Sequence, residues 1–227
     1  MTDPHNLNIC IHVLTASLAL LVGLFILGLR KGDRLHRLSG RLMLCLTGMS
    51  VVTALIGAFL FRGQLDLMGV SLLVAYQLWS GPRAVRLKDN GRTPADLIPA
   101  LLMAGSGCGI GALVLLGGAV HWPPALVYSA MGGMLTYGGW DIARILLPAR
   151  WRLWLNPAEH AFKMTGLTGV LMSVATGTLL GNAYWPLTVT GVFGLASLVF
   201  AFRAARKALG VTPSSALKAR LKDDNEL

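Results

Sequence analysis

Stretches with few or no charged residues follow one another along the chain, from Ile9 to Leu29, Leu42 to Phe61, Leu67 to Pro82, Leu97 to Val120, Trp122 to Trp140, Met164 to Trp185 and Pro186 to Phe202. None shows the polar–apolar alternation of a half-buried strand. Each approaches the roughly 20 apolar residues that a helix needs to cross a hydrocarbon core about 30 Å thick. The pattern predicts an all-α polytopic membrane bundle of seven transmembrane helices. The third and seventh windows are short, but they end in Arg83 with Arg86 and Arg203 with Arg206, whose long stems can snorkel to the interface. The break between the last two windows falls at Asn182 to Pro186, where Tyr184 and Trp185 suit a membrane interface and Pro186 suits a first helical turn. Asp3 precedes the first window, which has no basic leader and no small-residue cleavage site, so that window is expected to remain as a helix.

Composition leaves little else to explain. Of 227 residues, 54% are hydrophobic and 13% charged, so seven crossings use up most of the length and no separate soluble domain fits. The placement of charge orients the bundle. Every Lys and Arg except Arg62 falls in the first, third or fifth connection or in the tail. Cations near span ends resist translocation, which predicts an outside amino terminus and a cytoplasmic carboxyl terminus. Residues 1–206 then form the transmembrane domain and 207–227 a basic cytoplasmic tail. The formal charge of +10 reads as an orientation signal rather than a nucleic-acid footprint. The expected partners are membrane lipids, above all anionic headgroups worth about 1 kcal/mol per cation, and a partner membrane protein or a second copy. Cys10, Cys45 and Cys108 are odd in number and lie in or beside apolar spans, which argues against a disulfide framework.

Glycines four apart, Gly105 with Gly109, Gly107 with Gly111 and Gly177 with Gly181, predict close helix packing. Ionisable residues at span edges are the default functional candidates in a membrane protein. His36 and His160 are predicted at the same depth near the cytoplasmic face, with His12 about 30 Å away at the other. Two imidazoles facing across a bundle suit axial ligation of haem b or a transition metal, with Met164 one turn beyond His160 and Met43 and Cys45 as softer donors. Electron transfer would follow. No C-x-x-C-H attachment signature accompanies them. The second reading is a small-solute or lipid transporter with Asp141, Glu159, Thr168 and Thr176 along its path, and the third a non-catalytic scaffold. Asp141 is spaced to pair with Arg144, and Asn156–Pro157 suits the cap and first turn of the sixth helix. Tyr76, Trp79 and Arg83 share their spacing with Tyr137, Trp140 and Arg144, as two interfacial stripes would. Nucleophile elbows, phosphate loops and H-E-x-x-H helices are absent from the sequence, so no soluble-enzyme chemistry is indicated.

Several of these residues also recur in a family pattern: His12 in the opening helix, Lys31-Gly32, His36-Arg37, Gly40-Arg41, Tyr76 with Trp79-Ser80-Gly81 and Arg83-Ala84, then His160 before Lys163-Met164 on a helix that ends in Gly181. In these the chain resembles the small bacterial integral membrane proteins grouped as domain of unknown function 2306. It departs from them at Ala161-Phe162 and Thr176-Gly177, where bulkier aromatic-rich stretches are expected. The resemblance implies a seven-helix fold and a location in the bacterial cytoplasmic (inner) membrane, and no reaction.

Overall fold

Asp3 accepts a hydrogen bond from the His5 amide and Pro4 takes the first turn, so the chain enters α1 (Pro4–Gly28) already capped. Asp33 caps α2 (Arg34–Leu60) in the same way through the His36 amide at 2.7 Å. Between them Gly32 adopts φ +88°, a left-handed conformation that favours glycine. The Lys31 ammonium donates to the carbonyls of Ile26 and Leu27 at 2.7 and 3.0 Å, satisfying the orphan acceptors at the end of α1. The remaining helices are α3 (Leu67–Arg86), α4 (Pro94–Leu115), α5 (Pro124–Ala143), α6 (Arg152–Leu180) and α7 (Tyr184–Gly210), with two short 3₁₀ turns between α5 and α6. The computed structural model describes residues 3–61, 67–87, 91–116, 124–181 and 184–210. Arg62 and the tail predicted beyond Gly210 lie outside the described residues.

The distribution of side chains is inverted relative to a water-soluble bundle. Leu21, Phe59, Leu102 and Leu195 are exposed, whereas Gln77, Ser80, Asp141, Glu159 and Lys163 are buried. Helices α1, α2, α4 and α7 are long and apolar enough to cross a membrane, and only 11–17% of their apolar windows is buried within the protein. This is what a membrane protein presents to lipid. Helices α3, α5 and α6 hold the buried Gln77, Ser80, Asp141, Glu159 and Lys163, whereas the buried polar residues of α1, α2 and α7 are hydroxyls and that of α4 is Asp96. Helix α6 packs against α7, α3 and α1, while α5 packs chiefly against α4. One apolar cluster joins Leu73, Tyr76, Met103, Met134 and Tyr137, and a second joins Ile26, Met43, Val74 and Leu167.

The charge-poor windows mark apolar length, not helix length, so most helices run past them into charged residues. The largest difference is at α6, which starts at Arg152, well before Met164. Asn156 and Pro157 are therefore not its cap and first turn. Pro157 lies inside the helix, and buried Asn156 accepts a hydrogen bond from Arg144 through its side chain. Because Pro157 sits close to the helix start, the bond it forfeits is to the carbonyl of Leu153 near the end, where the ladder is cheapest to break. The glycines also divide. Gly107 and Gly111 face side chains of α5, and Gly177 faces Pro186, but Gly105 and Gly109 have open space. Gly181 ends α6 at φ +60° as a left-handed cap.

Candidate functional site

The sequence scatters its charged residues, and the fold gathers several of them into one buried cluster. Asp141 lies at the end of α5, Glu159 and Lys163 lie one turn apart on α6, Arg144 lies in the 3₁₀ turn between these helices, and Arg92 reaches in from the chain just ahead of α4. Lys163 is fully buried and donates to both Asp141 oxygens at 2.6 and 2.7 Å and to Glu159 Oε1 at 2.7 Å. Arg92 bonds Glu159 through Nη2, which also lies 3.1 Å from Asp141 Oδ1. Arg144 Nε stands 3.4 Å from Glu159 Oε2, and its Nη2 donates to Asn156. The Tyr76 hydroxyl donates to Asp141, and the Lys163 ammonium lies 5.7 Å from the Tyr76 ring centroid. The side chains of Arg92 and Arg144 are 2% and 4% exposed, so these are desolvated charges held by one another. Burial pushes the Arg144 guanidinium below its ordinary value; Glu159 opposes that and Arg92 adds to it.

Arg83 and Asp96 make a second, forked pair beside the cluster, with Nη2 to Oδ2 at 2.9 Å, tying α3 to α4. Asp96 Oδ2 also accepts from the Thr93 amide and hydroxyl at 2.7 and 2.8 Å, reaching back across the first turn of α4. The two aromatic–arginine sets are thus not simple interfacial stripes. Trp79 and Trp140 are partly exposed, but Tyr76 and Tyr137 turn inward and Arg83 and Arg144 take acidic partners. The expected Asp141–Arg144 pair gives way to an exchange in which Asp141 takes Lys163 and Arg92 while Arg144 takes Glu159.

A cavity of about 310 Å³ opens one helical turn from this cluster, between α3, α5, α6 and α7. Tyr137, on its wall, precedes Asp141 by one turn of α5; Phe162 and Gly166 flank it on α6 close to Lys163. Exposed Tyr128 also lines it, so the cavity reaches the surface there, about 14 Å along α5 from Tyr137. Its walls are mostly apolar or glycine, with the hydroxyls of Ser129, Thr136, Ser173, Thr190 and Ser197 and the two tyrosines as the sparse polar positions. Gly166 gives way to the Tyr137 hydroxyl, which a Cβ there would overlap, and the amide of fully buried Gln77 lies beside it. Gly169 likewise gives way to the Phe193 ring.

His36 and His160 do come to the same end of the bundle, close enough for their charges to interact. His160 bonds the Gly81 carbonyl at 3.0 Å through Nδ1, which must therefore carry the proton. Met164 places its sulfur against Gly81, and Met43 packs with Ile26, Val74 and Leu167, so both fill the core. Cys45 is exposed. Among the described residues no group of three or more His, Cys, Asp and Glu side chains could hold a metal. His12 sits apart, bonding the Ser50 carbonyl at 2.9 Å and tying α1 to α2. Of the predicted path, Asp141 and Glu159 meet in the cluster. Thr168 faces Gly23 of α1 and bonds the Met164 carbonyl, and Thr176 bonds back to the Ser173 carbonyl.

Arg92, Lys163 and Tyr76 were not among the site residues expected from sequence. The available signal was Glu159 four residues before Lys163 with apolar Phe162 and Met164 around the lysine, a salt-bridge spacing in an apolar setting. No protein family, curated protein or solved structure matches the chain.

Proposed function

We propose that this protein is a seven-span carrier in a bacterial cytoplasmic membrane, and that it moves a small lipophilic or amphipathic solute. The observation that supports this reading is the 310 Å³ cavity, apolar with a few polar groups, set one turn from a desolvated ion cluster. A pocket of this size and lining suits a small molecule. Ionisable groups inside a membrane bundle are costly enough to imply use. In this reading the solute occupies the cavity between α5 and α7, and the Asp141–Lys163–Glu159–Arg92 pairs close its cytoplasmic end. Ion pairs serve such a seal well because they have two arrangements, made or broken, whereas a packed apolar plug resists opening.

Two glycines on the cavity wall make the test clean. Gly132 and Gly194 line it, and a Cβ at either meets nothing within 4 Å. Gly132→Leu and Gly194→Leu should fill the space without a backbone clash, and the helix gains propensity. In reconstituted vesicles, with fluorescent phospholipids and a panel of labelled lipophilic solutes, both variants and Asp141→Asn should lower flux at least about tenfold, a factor that corresponds to about 1.4 kcal/mol. The melting temperature of the leucine variants should not fall. Wild-type flux in both leucine variants would remove the cavity from the mechanism.

The proposed orientation has its own check. The ends that carry Lys31, Arg92 and Arg144 should face the cytoplasm, as should the carboxyl terminus after Leu227. A fused alkaline phosphatase at that terminus should be inactive and a fused fluorescent protein bright; the reverse would require an odd change in the number of crossings or the opposite insertion.

A further inference from the structure

The ion cluster is not balanced. Among the described residues, Arg92, Arg144 and Lys163 bring three buried cations to the two carboxylates of Asp141 and Glu159. The surplus is localised. Arg92 uses Nη2 on Glu159 and Asp141, which leaves Nε and Nη1 buried without a hydrogen-bond partner among the described residues. Arg144 uses Nη2 on Asn156 and keeps Nε near Glu159, which leaves Nη1 buried without a partner. A buried charged donor given no acceptor is expensive, so three such nitrogens on two neighbouring guanidinium groups leave this end of the cluster short of negative charge.

Both side chains line one small notch, with Gly91, Pro148 and Arg152 among its other walls. Its volume of about 30 Å³ seats one or two water-sized atoms, enough for the leading oxygens of an anion whose remainder stays in the mouth. Arg152 adds a third guanidinium, which lies where a side chain at position 91 would otherwise begin. A Cβ on Gly91 would stand 2.8 Å from both Cζ and Nη2 of Arg152. Arg152 takes no part in the buried pairs, so its charge is available to the notch. Three planar guanidinium groups on residues lining one notch suit an oxyanion better than a spherical halide.

We propose that the notch formed by Gly91, Arg92, Arg144, Pro148 and Arg152 is a binding site for a phosphate-class oxyanion, presented either as free phosphate or as the phosphomonoester of a lipid headgroup. The site uses different atoms from the cavity and stands whether or not the protein is a carrier. Its occupant completes the charge of the cluster from the solvent side, so binding also stiffens the α5–α6 connection.

The test uses the full-length protein in detergent, at constant ionic strength. Inorganic phosphate should raise the melting temperature in a saturable way, and chloride should not. Arg152→Gln and Gly91→Ala leave every buried ion pair intact, and each should weaken phosphate binding at least about tenfold, as loss of a charge-assisted hydrogen bond implies. Arg152→Lys, a point charge without the fork, should recover only part. In mixed micelles, native mass spectrometry should show phosphatidic acid retained over phosphatidylcholine if a lipid is the source, with the retention lost in Arg152→Gln; phosphate stabilisation without such retention assigns the site to the free ion. Neither probe binding, chloride acting as well as phosphate, or equal binding in Arg152→Gln and Gly91→Ala would overturn the proposal.

Discussion

Glu159→Gln should destabilise the protein more than any other single neutralisation in the ion cluster, by about 3–5 kcal/mol. Glu159 is the carboxylate that meets all three cations, Arg92, Arg144 and Lys163. Its amide replacement leaves three buried cations facing Asp141 alone. For a chain of this size that cost corresponds to a fall of roughly 6–20 °C in melting temperature, at 2–4 °C per kcal/mol. Lys163→Met should be milder even though Lys163 is the more deeply buried side chain. After it, Arg92 and Arg144 still face Asp141 and Glu159, two against two, and Asp141 keeps the Tyr76 hydroxyl. Balance of charge, rather than number of hydrogen bonds, decides the order. The double variant Glu159→Gln/Lys163→Met returns the cluster to a single excess cation and should be more stable than Glu159→Gln alone, a coupling that thermal melts of the four proteins measure directly. If Lys163→Met proves the worst and the double variant adds the two losses, the cluster is a set of independent contacts.

The helical course of the chain was legible in the sequence because lipid imposes a simple rule, apolar length, and four helices, α1, α2, α4 and α7, are long and apolar enough to meet it. Helices α3, α5 and α6 obey it less well, and the buried ion cluster takes Tyr76, Asp141, Glu159 and Lys163 from them. Counting cations by loop gives a topology, but it treats Arg92, Arg144 and Lys163 as interchangeable with Arg30 or Arg34. The structure separates them, since the first three are buried on carboxylates. The distinguishing feature was acidic. In a chain with only ten Asp and Glu residues, Asp96, Asp141 and Glu159 stand near the ends of otherwise apolar helices, and each is buried on an arginine or lysine. Asn156-Pro157 misled for a related reason. Local capping chemistry favours a helix start there, but the tertiary bond from Arg144 to Asn156 rewards carrying the helix back to Arg152. The histidines illustrate the limit of reasoning by depth. Placing His36 and His160 at one level gave no information on the Gly81 carbonyl that occupies His160 or on the methionines that pack the core nearby.

Gly138→Leu should prevent α4 and α5 from packing, and even Gly138→Ala should cost about 1–3 kcal/mol, the usual range for overpacking. A Cβ at Gly138 would stand 2.6 Å from the Ala104 nitrogen and 2.8 Å from the Ala100 carbonyl oxygen. Both are backbone atoms of α4. A side chain can rotate away from an intruding methyl, as Arg152 can at Gly91, but a helix backbone can yield only by moving as a whole. Ala100 and Ala104 are one turn apart, so they and Gly138 form a small-residue contact in which the two helices touch along their main chains. The neighbouring glycine supplies the control. Gly139 has nothing within 4 Å of its Cβ position, so Gly139→Ala should be neutral or stabilising by up to about 1 kcal/mol through helix propensity alone. The pair isolates packing from propensity, because both substitutions add the same methyl to the same turn of α5. The consequence should extend to the ion cluster. Asp141 follows Gly138 by three residues, and a displaced α5 carries its carboxylate away from Lys163 and Arg92. Gly138→Ala should therefore reduce the stability gap between the Asp141→Asn variant and its parent, since the parent would already have lost part of what Asp141 contributes. Melting curves for Gly138→Ala, Gly139→Ala, Asp141→Asn and the Gly138→Ala/Asp141→Asn double variant decide it. Equal behaviour of the two alanine substitutions would mean that α4 and α5 do not meet backbone to backbone.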